Sequence, residues 1–233
     1  MVRLFVEPFA GEVVGFAKDQ LHYLQRVMRL GDGAEVMVLD GSGAAFRCIL
    51  EGPHGRVLER SEVPDPPVPV TLYQALPKAD KLDWILQKAT ELGVARIVPL
   101  TAARSVVHVK GEKVEAKLAR WRKLVLEASE QSERGRLPTV EAPMAVDKVA
   151  LAPGEWGFVL AERGDRPSLL AALPPSPPAG LALFIGPEGG WTPQELETLA
   201  AAGARPVSLG PRILRTETAA LAAVALALGK YEL

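Results

Sequence analysis

Cysteine and histidine are nearly missing from this chain: 233 residues contain one cysteine, Cys48, and three histidines. A single thiol excludes an internal disulfide and cannot build a metal site alone. Cys48 alternates with Phe46 and Leu50 in an apolar run, the setting of a packed side chain rather than a nucleophile. His22, His54 and His108 share no ligand-like spacing, so no metal is expected. Neither GxxxxGK[ST] nor GxGxxG occurs, which removes the usual support for nucleoside triphosphate and dinucleotide binding. No uninterrupted apolar stretch approaches the roughly 20 residues of a membrane span, and the alanine-rich run from Ala219 to Leu228 is about half that. The first residues, MVRLFVEPFAGEVV, lack the continuous apolar core of a secretory signal. With 48% hydrophobic and 24% charged residues, the expectation is a globular, cytoplasmic protein.

A strong net charge is also lacking: the total is −1. Its distribution is uneven. Residues 1–70 carry 7 Lys/Arg against 10 Asp/Glu, residues 71–138 carry 13 against 8, and residues 139–233 carry 7 against 10. A basic centre between acidic flanks is a plausible phosphate footprint, with solvated helix faces as the alternative.

What the chain does have is concentrated between Leu181 and Tyr231. Leu181–Ile185 is a short apolar run bounded by turn residues, the profile of a buried strand. Gly186-Pro187-Glu188-Gly189-Gly190 breaks it. Thr192, Pro193 and Glu195 form an N-cap hydroxyl, a first-position proline and a capping-box carboxylate, and Gly203 closes that helix. Pro206–Leu209 reads as another strand, Gly210-Pro211 as a break, and about Thr216 to Leu228 as a helix. Two strand ends therefore empty into glycine-containing loops, where α/β sheets place ligands.

Upstream, residues 2–6, Glu35–Leu39, Ala44–Leu50 and Val57–Val63 read as strands, with Asp40-Gly41-Ser42-Gly43 as a hairpin turn. Asp19–Arg29 reads as a helix with Leu21, Leu24 and Val27 or Met28 on one face. Four prolines between Pro64 and Pro69 make a stiff linker. After it the period changes: strand Val70–Leu76, a helix capped by Asp80 and ended by Gly93, strand Val94–Leu100, a loop Thr101–Lys110 and a long helix of about Glu112–Ser132. Trp156–Ala161 gives another strand, leading to Glu162 and Arg163, and 173–180 a proline-rich loop. The order argues α/β with a mostly parallel sheet. The expected domains are 1–68 and 69–233.

GPEGG followed by SLGPRILRTETAALAAVA resembles the C-terminal signature of the RsmE family, SPOUT methyltransferases that modify N3 of a uridine in 16S ribosomal RNA. QALPKADKLDWILQKATELGV and HYLQRVMRLGDG are similar to the same family. The resemblance implies a PUA-like, RNA-binding β-barrel at 1–68. It also implies a SPOUT domain with a trefoil knot, with the knot and cofactor site at about 158–233. It implies S-adenosylmethionine as cofactor, 16S rRNA or the assembled small subunit as partner, and a homodimer in which the alanine-rich face (Leu221, Val224, Leu228) either packs across the dimer or against its own sheet. Two other functions stay open: ribose 2′-O-methylation, and a non-enzymatic role in ribosome assembly.

The candidate cofactor pocket combines apolar walls from Leu160, Ile185, Leu209, Ile213 and Leu214 with close backbone approach at Gly186, Gly189 and Gly210. Glu188, Thr218 and Ala219 complete it. Arg26 and Arg29 in the first domain and Lys78, Lys81 and Arg104 in the second are candidate RNA contacts. Arg215 is the candidate catalytic group: a guanidinium where charge develops on a deprotonating uridine, with an ion pair to Glu217 or across the dimer as its alternative role. Arg134 is the runner-up, and Glu130, Glu188, Glu217 or water remain open as the base.

Overall fold

The computed structural model describes every residue except His108, Lys110, Glu112, Arg163 and Leu233. The expected loop end at Lys110, helix start at Glu112, Arg163 after its strand, and the third histidine therefore lie outside the described residues. The chain divides into two compact units, Met1–Asp65 with Ser129–Leu137, and Pro66–Ala128 with Pro138–Leu233.

The first unit is a five-stranded mixed sheet. Its strands are β1 (Val2–Phe5), β2 (Val13–Gly15), β3 (Glu35–Leu39), β4 (Ala44–Glu51) and β5 (His54–Glu62), in the order β1-β3-β4-β5-β2. β1 runs parallel to β3, and β3, β4 and β5 form an antiparallel meander. Alternation along β3 and β4 sends Val36, Val38, Cys48 and Leu50 into one core with Leu4, Val14, Phe16 and Leu24. Cys48 is buried there, and burial pushes its thiol up to about 11, away from nucleophilic chemistry.

The helix expected over Asp19–Arg29 is shorter than its periodicity suggests. Helix α1 covers Lys18–His22 and passes into a π-helical turn at Tyr23–Val27. The wider turn shifts the register after Leu24, so Leu24 is buried while Val27 and Met28 face solvent. Arg29 follows in a left-handed conformation, φ 56°.

Ser129–Leu137 joins this unit through specific bonds. Glu130 Oε1 accepts the N–H of Phe5 at 3.1 Å, and Arg3 pairs with Glu133 at 2.6 Å. Arg136 pairs with Asp65. Gly135 has no room for a side chain: a Cβ there would lie 2.7 Å from that of Val63. Arg134 is half-buried, and burial pulls its guanidinium below the ordinary value while Asp65 works the other way.

The second unit is a seven-stranded sheet in which every pairing is parallel. It contains β6 (Val70–Ala75), β7 (Arg96–Thr101), β8 (Thr139–Val140), β9 (Met144–Ala145), β10 (Glu155–Leu160), β11 (Gly180–Ile185) and β12 (Ala204–Val207). The order is β12-β10-β11-β6-β7-β8, with β9 also pairing to β7. The two-residue strands β8 and β9 carry too little pattern to be read from sequence. All six residues of β6 and of β11 are buried, as central parallel strands covered on both faces must be.

Alternate side chains feed two cores. Leu181, Leu183 and Ile185 pack with helices α2 (Lys81–Leu92), α3 (Lys113–Gln131), α4 (Leu169–Ala172) and α6 (Thr216–Glu232). Ala182 and Phe184 turn the other way, toward helix α5 (Pro193–Ala201), with Phe184 stacked 4.5 Å from Tyr73. The capping box of α5 is present: Thr192 Oγ1 accepts from the N–H of Glu195, whose carboxylate accepts from the N–H of Thr192. Asp80 precedes α2 without a side-chain cap. Helix α6 extends to Glu232, past the expected end near Leu228. Its Val224 and Leu228 are buried in the unit's own core, so that face packs inward.

Candidate functional site

The three adjacent parallel strands β12, β10 and β11 end side by side, and a cavity of about 550 Å³ opens beyond them. That volume lies within the range of small-molecule sites. Its walls come from the strand ends (Leu160, Ile185 and Ser208), from 186–191 after β11, and from 209–216 leading into α6. The two loops approach because α6 returns from edge strand β12 to the centre of the sheet, where it packs on β11, β6 and α2.

One hydrogen-bond chain fixes that return. Gln74, fully buried in β6, donates from Nε2 to Thr216 Oγ1 at 2.9 Å, and Thr216 Oγ1 donates to the Gly186 carbonyl at 2.7 Å. A strand, a loop and a helix start are thus held by one hydroxyl. The signal in the sequence is Gln74 itself: an amide inside an apolar strand needs a partner when buried.

Glycine allows a close approach at one point of the lining and a positive φ at another. At Gly186 a Cβ would lie 3.1 Å from the indole nitrogen of Trp191. At Gly210 φ is +109°, and a Cβ would meet nothing within 4 Å, so it would project into open space. The Ser208 hydroxyl holds this turn, accepting from the Gly210 N–H at 3.0 Å.

Charge around the cavity is mixed. Arg104, Arg166, Arg212 and Arg215 line it together with Glu162 and Glu188. Arg104 Nη1 donates to the Gly189 carbonyl at 2.8 Å. Glu188 accepts the N–H of Lys78 and the ammonium of Lys81, both at 3.1 Å. Burial pushes the Glu188 carboxyl up, but the backbone N–H groups of Glu188 and Lys78, with Lys81, outweigh it and hold it below the carboxylate range. The Lys81 ammonium is pushed up, first by its bond to Glu188, against a desolvation that works the other way.

Comparison with known proteins agrees with this architecture. The RNA methyltransferase domain family matches residues 64–228, and the RNA methyltransferase PUA domain family matches 16–57. Ribosomal RNA small subunit methyltransferase E of Synechocystis is 45% identical over 96% of this chain and 76% of its own. The Mycobacterium bovis protein of that name is 36% identical over 93% and 86%. This chain belongs to the ribosomal RNA small subunit methyltransferase E family. A structure of the Neisseria gonorrhoeae family member, bound to S-adenosyl methionine, is 31% identical with a TM-score of 0.85, covering 97% of this chain and 95% of that one.

In this methyltransferase E chain, the residues expected at a cofactor pocket come together with one exception. Leu160, Ile185, Gly186, Glu188, Gly189, Leu209, Gly210, Ile213, Leu214 and Ala219 all line the cavity. Thr218, one residue before Ala219 on α6, is exposed and does not. Arg215 and Arg104 line it too. Arg215 is exposed and, among the described residues, has no ion pair, because Glu217 instead lies 3.2 Å from Lys81. Lys78 is exposed, and Lys81 is half-buried in its carboxylate pair. Arg26 and Arg29 are exposed on the first unit, which also contains Glu130 and Arg134. Sequence reasoning missed Arg166, Arg212, Ser208 and Trp191. Nothing local marks the first two, whereas Trp191 directly follows the glycine loop. Its indole N–H is buried at the cavity wall without a partner among the described residues.

Proposed function

We infer that this chain transfers a methyl group from S-adenosylmethionine to N3 of a uridine in small-subunit ribosomal RNA, and that the cavity beyond β10, β11 and β12 holds the cofactor. The observation that carries this reading is the cavity itself. Its apolar walls suit an adenine and ribose, the bend at Gly210 brings bare backbone to the lining, and the Trp191 N–H is a donor with no acceptor among the described residues. The S-adenosyl methionine bound to the Neisseria family member supports the same choice. When bound, the cofactor supplies an electrophilic methyl group.

The protein's own task is to make N3 nucleophilic. As the N3 proton leaves, negative charge spreads over N3 and the two flanking carbonyl oxygens. Arg215 stands at the cavity with no ion pair among the described residues, and it places a guanidinium where that charge develops. It directly precedes α6, whose N-terminal partial charge adds to the same field. Glu188 and Glu217 are both already engaged by the Lys81 ammonium; the proton passes to water.

Exposed Arg26 and Arg29, with Lys78 and Arg104, contact RNA phosphates. The same reading takes the return of the chain from β12 to α6 as the closing pass of a trefoil knot, places the protein in the cytoplasm and makes it a homodimer. The test is methylation of small subunits that lack the modification, read by nucleoside mass spectrometry. N3-methyluridine that appears only with added protein and S-adenosylmethionine is the expected result. A 2′-O-methylated nucleoside, or no product, overturns it.

A further inference from the structure

Lys81 was expected to face RNA, yet its surroundings are those of a counter-ion. It is the first residue of α2, its side chain is 30% exposed, and Nζ sits 3.1 Å from Glu188 Oε1 and 3.2 Å from Glu217 Oε2. Glu188 belongs to the glycine loop after β11; Glu217 belongs to the first turn of α6. Glu217 is the more buried of the two, with a side chain 17% exposed, and its Oε2 is buried 3.2 Å from that ammonium. The ammonium beside it is therefore what offsets that charge.

We propose that Lys81 is a positioning residue of the cofactor cavity, bridging two carboxylates so that the loop after β11 and the start of α6 stay together. The proposal rests on the reading of the cavity as the cofactor site. Its physical basis is that the two carboxylates share one ammonium. Without it they become like charges that had shared one counter-ion, both partly shielded from water, and the two walls repel. The raised ammonium and lowered Glu188 carboxyl agree with such a bridge. A phosphate could reach Lys81 only through the third N–H of the ammonium, beside two carboxylates that repel an anion. Lys78, exposed and bonded to Glu188 only through its backbone N–H, keeps a free ammonium among the described residues and does not share this constraint.

The decisive experiment separates cavity assembly from RNA contact. In Lys81→Met, calorimetric affinity for S-adenosylmethionine falls roughly tenfold, about 1.4 kcal/mol, while the salt slope of binding to naked 16S rRNA is unchanged. Backbone amide exchange of the free protein rises at both 186–190 and 216–219. Glu217→Gln added to Lys81→Met removes one of the repelling charges and recovers part of both losses, and Lys81→Arg recovers cofactor affinity in part. Unchanged amide exchange in Lys81→Met overturns the proposal. So does wild-type cofactor affinity combined with a salt slope reduced by about one unit, the mark of a lost phosphate contact. If the wild-type protein itself does not bind S-adenosylmethionine, the cofactor reading fails, while amide exchange still decides whether Lys81 holds the two walls.

Discussion

The two loops that face each other across the cavity are built in opposite ways. The loop after β11, Gly186–Gly190, is tied at almost every residue. Thr216 holds the Gly186 carbonyl, Lys78 and Lys81 hold the Glu188 carboxylate, Arg104 holds the Gly189 carbonyl, and the Gly190 N–H returns to Pro187. Among the described residues, the loop after β12, from Leu209 to Arg215, shows only the Ser208–Gly210 turn and the first α6 bond from Ala219 to the Arg215 carbonyl. Its Arg212, Ile213 and Arg215 are exposed, Ile213 to 67%. The difference teaches a division of labour. One wall is preorganised and shapes the pocket, while the other presents exposed side chains outward.

The largest expected effect breaks the contrast at the turn of the less-tied wall. Gly210→Val puts a branched side chain on the cavity lining at a φ of +109°, which L residues rarely adopt. S-adenosylmethionine binding by calorimetry should vanish. Gly210→Ala carries the same backbone strain with less bulk, so a smaller loss there assigns the effect to filled space. Equal losses would make the turn's conformation, rather than its emptiness, the feature that matters.

Next in size is Arg215→Ala, which sharpens the claim that the last residue of the second loop serves substrate while its turn at Gly210 serves cofactor. Single-turnover methylation of small subunits should slow by roughly a hundredfold or more, the scale of one lost charge-stabilising donor. Cofactor affinity and thermal stability should stay near wild type. A rate within a few-fold of wild type removes Arg215 from the chemistry.

The smallest effect tests the fastening of the first loop. Thr216→Val keeps the shape but strips the hydroxyl from a buried site, leaving the Gly186 carbonyl and the Gln74 amide without that partner. The cost should be about 1–3 kcal/mol in denaturant unfolding, together with weaker cofactor binding. An unchanged midpoint would show that the loop is held by its remaining ties alone.

Much of this was legible before any coordinates. Central strands β6 and β11 announce themselves as apolar runs between turn residues, and the capping box of α5 is written in Thr192, Pro193 and Glu195. Ten of the eleven residues expected at the pocket line one cavity, because strand ends followed by glycine mark where a parallel sheet leaves room. The failures share a cause. The helix expected to Arg29 gave way to a π-helical turn, since periodicity alone does not register one extra residue per turn. Lys81 reads as a free cation in sequence, because its two carboxylates lie 107 and 136 positions further along the chain.

The sequence by itself determined the class of fold, the position of the glycine loops and, through motif resemblance, the family. These depend on local pattern: hydrophobic period, turn chemistry and short strings of residues. Tertiary structure alone decided which charges are spoken for. It brought α6 back to the centre of the sheet, gave Glu217 to Lys81 rather than to Arg215, and assigned Ser129–Leu137 to the first unit. Ion pairs and close packing are set by distance in space, and separation along the chain carries no record of that distance.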